Sequence, residues 1–487
     1  MSERDDWKRE MLPEIADEVA VIVDAFACAP RGGDVPPDQR GADIGVAAAD
    51  GGVDYLYARR HLLVADEYLG PVLEILGDPG ARWLEPGEGD GGGKEPDGRE
   101  DEDEARASEG GAAGLRRVIA GVVLLVLPPA LVDGDGGRSV PEWLNLIDRR
   151  LGRGAATPDQ VLTVAPAITY CPATDPEPVH SGAEPGPPAC PPGAGAGAWI
   201  YLADTGLLAD AAAGHPWLAG VRPDNPGTDV DPFDPAQPVT SKYTGHGTFV
   251  AGVARCLAPS AELVVTRALS IAGSQLESAL VPRLEHALAG GADIFQLTIA
   301  GATRHDLKLI AFGVWLGQLR QAKGAVCVAP AGNSGSRRPS WPAAFPDVIA
   351  VGALAADERS RASFSNHGRW VDVYAPGRDI VNAYLTGDYI CQISPYTGQE
   401  RHFYGMARWS GTSFAAPIVT GLIAARMSAA GENARQAADA LLAQARRQAI
   451  PGVGPVLLPR CGPCGRPAPC GCRGDGGCGD RSRPCGC

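Results

Sequence analysis

The sequence predicts an α/β protein, a parallel sheet between helical layers, preceded by a small α+β region. Three observations carry this. Six short apolar runs (AWIYLA, ELVVTRA, ADIFQLTI, GAVCVA, DVIAVGA and VDVYA) fall between residues 197 and 458. They lack polar alternation, as strands buried on both faces do. Stretches of helical spacing, QLESALVPRLEHALAGG and HDLKLIAFGVWLGQLRQAKG, separate several of them and imply right-handed βαβ units. Upstream, residues 54–166 carry elements in the order β-α-β-β-α-β, a ferredoxin-like pattern.

Taken in order, residues 1–53 form an N-terminal extension, helical at first and then rich in Gly, Pro and Asp. DYLYARRHLLVA alternates like a strand, EYLGPVLEILG has helical spacing, and ARWLEP is a short extended piece. RRVIAGVVLLVLPP reads as a second long strand. SVPEWLNLIDRRLG is an amphipathic helix: Ser139 can cap it, Pro141 suits its first turn, and Trp143, Leu144 and Ile147 share a face. QVLTVAP closes the series as a strand. Residues 86–114 interrupt it with an acidic, glycine-rich insertion that has no apolar content and is expected to be disordered. Residues 167–196 are a proline-rich linker, expected to be extended and solvated. The α/β unit runs over 197–458, and 459–487 form a cysteine-rich tail.

The 64 glycines and 43 prolines among 487 residues approach the level found in disordered chains, so they must concentrate in linkers and site loops. A formal net charge of −15 argues against nucleic acid or an anionic membrane as partner. The most apolar run, Val118 to Val132, is broken by Pro128 and Pro129 and is too short to cross a hydrocarbon layer of roughly 30 Å. It reads as a buried strand, and no membrane span is expected. The first twenty residues are charged and lack the apolar centre of a secretory signal, so a cytoplasmic location is expected, without a disulfide framework. Of 13 cysteines, Cys256 and Cys327 lie in apolar stretches as core thiols, whereas seven crowd the last 27 residues. That tail holds one CxxC and two CxC pairs but no apolar residue able to build a core, so it reads as an oxidisable extension rather than a zinc site. No metal or cofactor is expected.

Reactive groups in such sheets collect beyond the carboxyl ends of the strands. Asp204 follows AWIYLA and opens Asp-Thr-Gly, where it can hold an imidazole or simply make a turn. His246 sits between two glycines in GHGTFVAGVAR, at the start of an apolar helix, a placement unique among the eight histidines. Asn333 lies in PAGNSG after GAVCVA, where its amide can donate to a developing oxyanion or shape a turn. Ser413 opens a helix in WSGTSFAAPIVTGLIAARM. Pro417 leaves the Ser413 carbonyl without its usual intrahelical partner. A serine so placed can attack through Oγ and offer its own N–H to the resulting anion.

Asp-Thr-Gly, Gly-His-Gly-Thr, Ala-Gly-Asn and Gly-Thr-Ser-Phe-Ala-Ala-Pro, in that order, resemble the subtilisin-like (subtilase) serine endopeptidases. WPAAFPDVIAVGAL (341–354) and ASFSNHGRWVDVYAPGRDI (362–380) resemble them too. A narrower resemblance is to actinobacterial members without a signal peptide. The resemblance implies a catalytic triad of Asp204, His246 and Ser413, an oxyanion hole from Asn333 and the Ser413 N–H, and protein or peptide substrates. It implies a cleft lined by Thr298, Ile299, Ala300 and Gly301, where Ala300 departs from the family's glycine and adds a methyl beside the substrate backbone. No calcium loop is recognisable around IAGSQLESA. The region ahead of the α/β unit resembles the family's inhibitory prodomain in element order and position, which implies an intramolecular inhibitor; the alternative is an unrelated accessory domain. The competing reading is a catalytically weak, peptide-binding member of the same fold.

Overall fold

The computed structural model describes residues 13–27, 42–49, 52–78, 80–84, 112–132, 137–164, 174–180, 183–187, 189–234, 236–239, 241–270, 272–322, 324–393 and 395–459. The expectations for nearly all of the acidic insertion and of the cysteine-rich tail lie outside the described residues.

In the N-terminal half come α1 (Pro13–Ala27), β1 (Ile44–Ala49), β2 (Gly52–Ala65), α2 (Leu69–Leu76), β3 (Arg82–Trp83), β4 (Gly114–Ile119), β5 (Val122–Val126), α3 (Val140–Leu151) and β6 (Ala156–Thr163). Strands β6-β2-β5-β4 lie side by side, each pair antiparallel, the order of a ferredoxin-like sheet. Two elements differ from expectation. RRVIAGVVLLVLPP is not one strand but the hairpin β4–β5, turned at Ala120 and Gly121. The turn is hidden in the sequence because Val118 to Val126 reads as one apolar run across Ala120 and Gly121. ARWLEP supplies only the two-residue edge β3. The sheet also begins earlier, since β1 pairs with the first half of β2.

Side-chain alternation sorts the sheet's two faces. Leu62, Val64, Val123 and Leu125 pack under α2 and α3 with Val72, Trp143 and Leu144. The neighbouring positions Leu63, Val118, Val122 and Leu124 face the opposite way, toward the C-terminal unit. Helix α3 starts at a capping box in which Glu142 accepts from the Ser139 N–H at 2.8 Å.

The C-terminal unit continues with β7 (Glu177–Pro178), β8 (Trp199–Asp204), β9 (Arg222–Pro223), α4 (His246–Leu257), β10 (Glu262–Arg267), β11 (Ser274–Leu276), α5 (Glu277–Gly290), β12 (Ile294–Leu297), α6 (Ile310–Gln321), β13 (Val326–Pro330), β14 (Val348–Leu354), β15 (Val373–Pro376), β16 (Ile380–Ile390), β17 (Glu400–Trp409), α7 (Thr412–Ala430) and α8 (Ala434–Arg447). Seven strands form a parallel sheet in the order β15-β14-β13-β12-β8-β10-β9. Helices α4 and α7 cover one face through Phe249, Val253, Phe414 and Ile418. Helices α5 and α6 cover the other through Leu280, Leu284, Phe312 and Trp315. Each such fully buried large side chain contributes about 1.5–3 kcal/mol. Among the described helices only α7 is long and apolar enough to cross a membrane, and it lies buried in this core.

The two units share a sheet. Strand β11 pairs antiparallel with β6 and becomes the edge of the N-terminal sheet. The inner face of that sheet rests on α5 and α6. Asp159 of β6 is fully buried and accepts from the N–H (3.0 Å) and hydroxyl (2.6 Å) of Ser278, in the first turn of α5. It therefore satisfies donors that the helix itself cannot. Glu277 does the same for α6, accepting from the N–H groups of Ala311 and Phe312 at 2.7 and 3.1 Å.

The linker is not loosely solvated over its described residues. Gly186 donates to the Val381 carbonyl at 2.7 Å, Cys190 to that of Cys256 at 2.8 Å, and Gly195 to the Ser428 hydroxyl at 2.8 Å. Strand β7 adds to β17. Cys190 is disulfide-bonded, a bond the sequence did not lead one to expect. Cys256, Cys327 and Cys391 are buried free thiols.

Candidate active site

Asp204 ends β8, and the register of β12 sets Leu297 beside Ala203, so Thr298 emerges level with Asp204 at the sheet's carboxyl edge. His246 opens α4. It lies within bonding reach of Asp204 because Gly247 lets the helix touch the Asp204–Gly206 turn: a Cβ on Gly247 would sit 2.2 Å from the Gly206 carbonyl oxygen. Gly245, just before the histidine, takes the left-handed conformation at φ 77°. The outcome is His246 Nδ1 at 2.8 and 3.0 Å from the two Asp204 oxygens, both residues fully buried. An ionised carboxylate only accepts, so Nδ1 carries the proton and Nε2 is left as the basic nitrogen. The rings of Trp409 (5.4 Å), Phe414 (5.3 Å) and Tyr243 (6.3 Å) surround the imidazole.

Ser413 is the second residue of α7, where backbone N–H groups have no intrahelical acceptor. Its Oγ and His246 Nε2 are both buried, and neither has a hydrogen-bond partner among the described residues. Asn333 follows β13. Its Oδ1 accepts from both the N–H and the hydroxyl of Thr412, each at 2.8 Å. This turns the amide nitrogen toward Gly411, whose Cβ position would lie 3.5 Å away. Thr412 was not singled out from sequence, although it sits inside the serine motif.

Thr298, Ile299, Ala300 and Gly301 are buried and run along one edge of the β6 end. Gly273 and β11 run along its other edge, a strand that was not legible because Gln275 and Leu276 read as helix. Thr163 accepts from the Ala300 N–H at 2.8 Å and donates to its carbonyl at 3.3 Å, while Val164 donates to Gly273 at 2.7 Å. Bonding along both edges is how an extended peptide adds to a sheet. The methyl of Ala300 does not prevent it. Leu162 and Val164 are fully buried here, with Leu162 Cδ2 only 3.2 Å from where a Cβ on Gly301 would stand. Further along the chain, the Thr174 carbonyl accepts from Trp409 Nε1 at 2.7 Å, the indole that packs on His246. The chain is thus bonded to the C-terminal unit at Thr163 and Val164 and again at Thr174. Among the described residues no group of three or more His, Cys, Asp or Glu side chains could hold a metal ion.

A doubly wound parallel sheet that presents a buried carboxylate–imidazole pair and a helix-borne serine at its carboxyl edge defines an α/β protein with the layout of a serine hydrolase. The chain belongs to the subtilase family, whose sequence profile matches residues 195–454. It is 36% identical over 217 residues to the thermophilic serine proteinase of Bacillus sp. (strain AK1), covering 42% of this chain and 46% of that protein. It is 31% identical over 251 residues to thermitase of Thermoactinomyces vulgaris, covering 49% of this chain and 78% of that one. To subtilisin Savinase of Lederbergia lenta it is 31% identical over 201 residues, 39% of this chain and 66% of that one. The chain thus spans about half the length of the first of these relatives.

Proposed function

We propose that the protein is a serine endopeptidase. The observation that carries this is the buried Asp204–His246 pair, its bonded nitrogen fixed and its other nitrogen open, beside a serine at a helix start. Ser413 Oγ attacks the substrate carbonyl and its proton passes to His246 Nε2. The C–N bond then breaks, and the same proton leaves with the amine. Water, deprotonated by His246, hydrolyses the ester. Asp204 stabilises the imidazolium, while the amide of Asn333 and the Ser413 N–H hold the oxyanion. Thr298 to Gly301 and Gly273 to Leu276 bind the substrate backbone as strands.

We also infer that the N-terminal region restrains the enzyme. The support is the end of β6, which pairs with Ala300 along one edge and with Gly273 and β11 along the other, together with the capping of α5 by Asp159.

A weak, peptide-binding member is the second reading, favoured by the absence of a hydrogen bond between Ser413 Oγ and His246 Nε2. Apo triads often tighten only around substrate. Incubating the full chain and Ser413→Ala with a fluorophosphonate probe and a casein-derived peptide separates the two. Serine-dependent labelling and cleavage are expected. Cleavage that survives in the variant, or a wild-type chain that neither labels nor cleaves once its cleft strand is released, sinks the endopeptidase reading. A cytoplasmic location is carried forward as a proposal, against which the Cys190 disulfide speaks. Thiol trapping in cells tests it, and an oxidised Cys190 there would overturn it.

A further inference from the structure

Asp231 lies in the loop GTDVDPFDP, which no motif marks, yet it is only 4% exposed. Its Oδ2 accepts from the Gly245 N–H at 2.7 Å. Gly245 is the left-handed residue that sets the entry of His246 into α4. The same loop is tied to the turn after Asp204: Asp231 donates to the Leu207 carbonyl at 2.9 Å, Leu207 donates to Asp229 at 3.3 Å, and Leu207 bridges Val230. Asp231 therefore links the two segments, by its carboxylate to the one that carries His246 and by its backbone to the one that carries Asp204.

The charged and titratable groups around it come from four elements. Arg267, ending β10 in register with Asp204, favours the ionised carboxylate; Asp204 itself opposes it. Tyr384 of β16 presses its ring on Gly245, and its hydroxyl has no partner among the described residues. On the same loop, Asp229 is held by Thr266 Oγ1 (3.1 Å) and faces Arg283 at 3.7 Å. Burial is the largest influence on Asp231 and pushes its carboxyl up to about 7.

We propose that Asp231 is a positioning residue for His246, holding the Gly245–His246 corner through a hydrogen bond and offsetting the charge of Arg267 so that the imidazolium can form. This rests on His246 acting as the base. A guanidinium at the edge of a buried site lowers the basicity of an imidazole, and a nearby carboxylate, which in Asp231 is ionised above about pH 7, restores it.

The test uses the full chain with histidine labelled at Cε1. The titration of His246 is followed by NMR, with His246→Ala assigning the resonance, and fluorophosphonate labelling is timed across pH 5–9. Asp231→Asn keeps an acceptor for Gly245 but removes the charge. It is expected to lower the His246 pKa by about one unit. Asp231→Ala also removes the acceptor and is expected to add roughly a tenfold loss in labelling rate. Wild-type and Asp231→Asn imidazoles that titrate together overturn the proposal. Should neither variant fold, Arg267→Gln probes the same field from its other end: a raised His246 pKa supports the proposal, an unchanged or lowered one overturns it. Because the NMR titration needs no turnover, a wild-type chain that fails to label bears on the endopeptidase reading and not on this one.

Discussion

Asn333 shows how a single side chain is made ready by its neighbours. An asparagine beside glycine is ordinarily a turn residue. Here both bonds to its Oδ1 come from Thr412, so the amide nitrogen has one direction left, toward Gly411 and the cleft. A donor oriented before the reaction needs no reorganisation when the oxyanion forms. Asn333→Ala is expected to lower kcat by about 10² to 10³, the range for loss of the corresponding donor in subtilisin, with KM little changed. Steady-state kinetics on a peptide substrate would check this. A change confined to KM would make Asn333 a binding or turn residue. The motif was legible because its glycines are; the Thr412 contact was not, since it joins residues 79 apart.

At the scale of elements, α4 reaches the β8 turn only because one position has no side chain. The Cβ added by Gly247→Ala would meet backbone, which cannot swing away. The helix start must shift, at an expected cost of about 1–3 kcal/mol. A displacement near 1 Å is enough to lower turnover about 10²-fold. Circular dichroism should remain that of the parent while fluorophosphonate labelling slows; labelling at the parental rate would show that the close approach is not needed. Helix α5 offers a pH-dependent counterpart. Burial raises the Glu277 carboxyl from 4.5 to about 8. Between those values the folded chain holds a proton that the unfolded chain has released, so stability falls as pH rises from about 4.5 toward 8. Glu277→Gln cannot ionise, and its melting temperature is expected to decline less over that window than the wild type's. Parallel melting profiles would show that Glu277 does not titrate differently on folding.

At the scale of the molecule, the N-terminal sheet and the α/β unit are joined by strands rather than merely touching. β6 spends its first part between β2 and the edge, and its last residues between Ala300 and Gly273. Helix α1 adds to this junction, packing Val19 and Phe26 in a cluster with Val161, Ala272 and Leu276. Restraint would then depend on backbone pairing at Thr163. Proline there removes the N–H that Ala300 accepts and cannot sit in a paired strand. In the full chain, Thr163→Pro is expected to raise labelling of Ser413 at least several-fold, from a lost bond of about 0.5–1.5 kcal/mol together with the ring's clash. Equal labelling of the two chains would mean that β6 does not control access to the serine.

The alternation of strands and helices in the α/β unit, the ferredoxin-like element order and the four motif residues Asp204, His246, Asn333 and Ser413 were all legible in the amino-acid sequence. These are local properties: apolar runs, helical spacing, and glycines beside polar residues at strand ends. Only the folded chain reveals that RRVIAGVVLLVLPP folds back on itself, because the apolar residues on either side of Ala120 and Gly121 read as one continuous strand. It alone drew the linker onto the enzyme through hydrogen bonds to Val381, Cys256 and Ser428, partners that lie 66 or more residues away in the chain. It alone set Gly273 and β11 along the free edge of β6, and Asp231 against the corner of His246. Backbone pairing and burial depend on which segments meet in space, and neither leaves a periodic mark on the residues that take part.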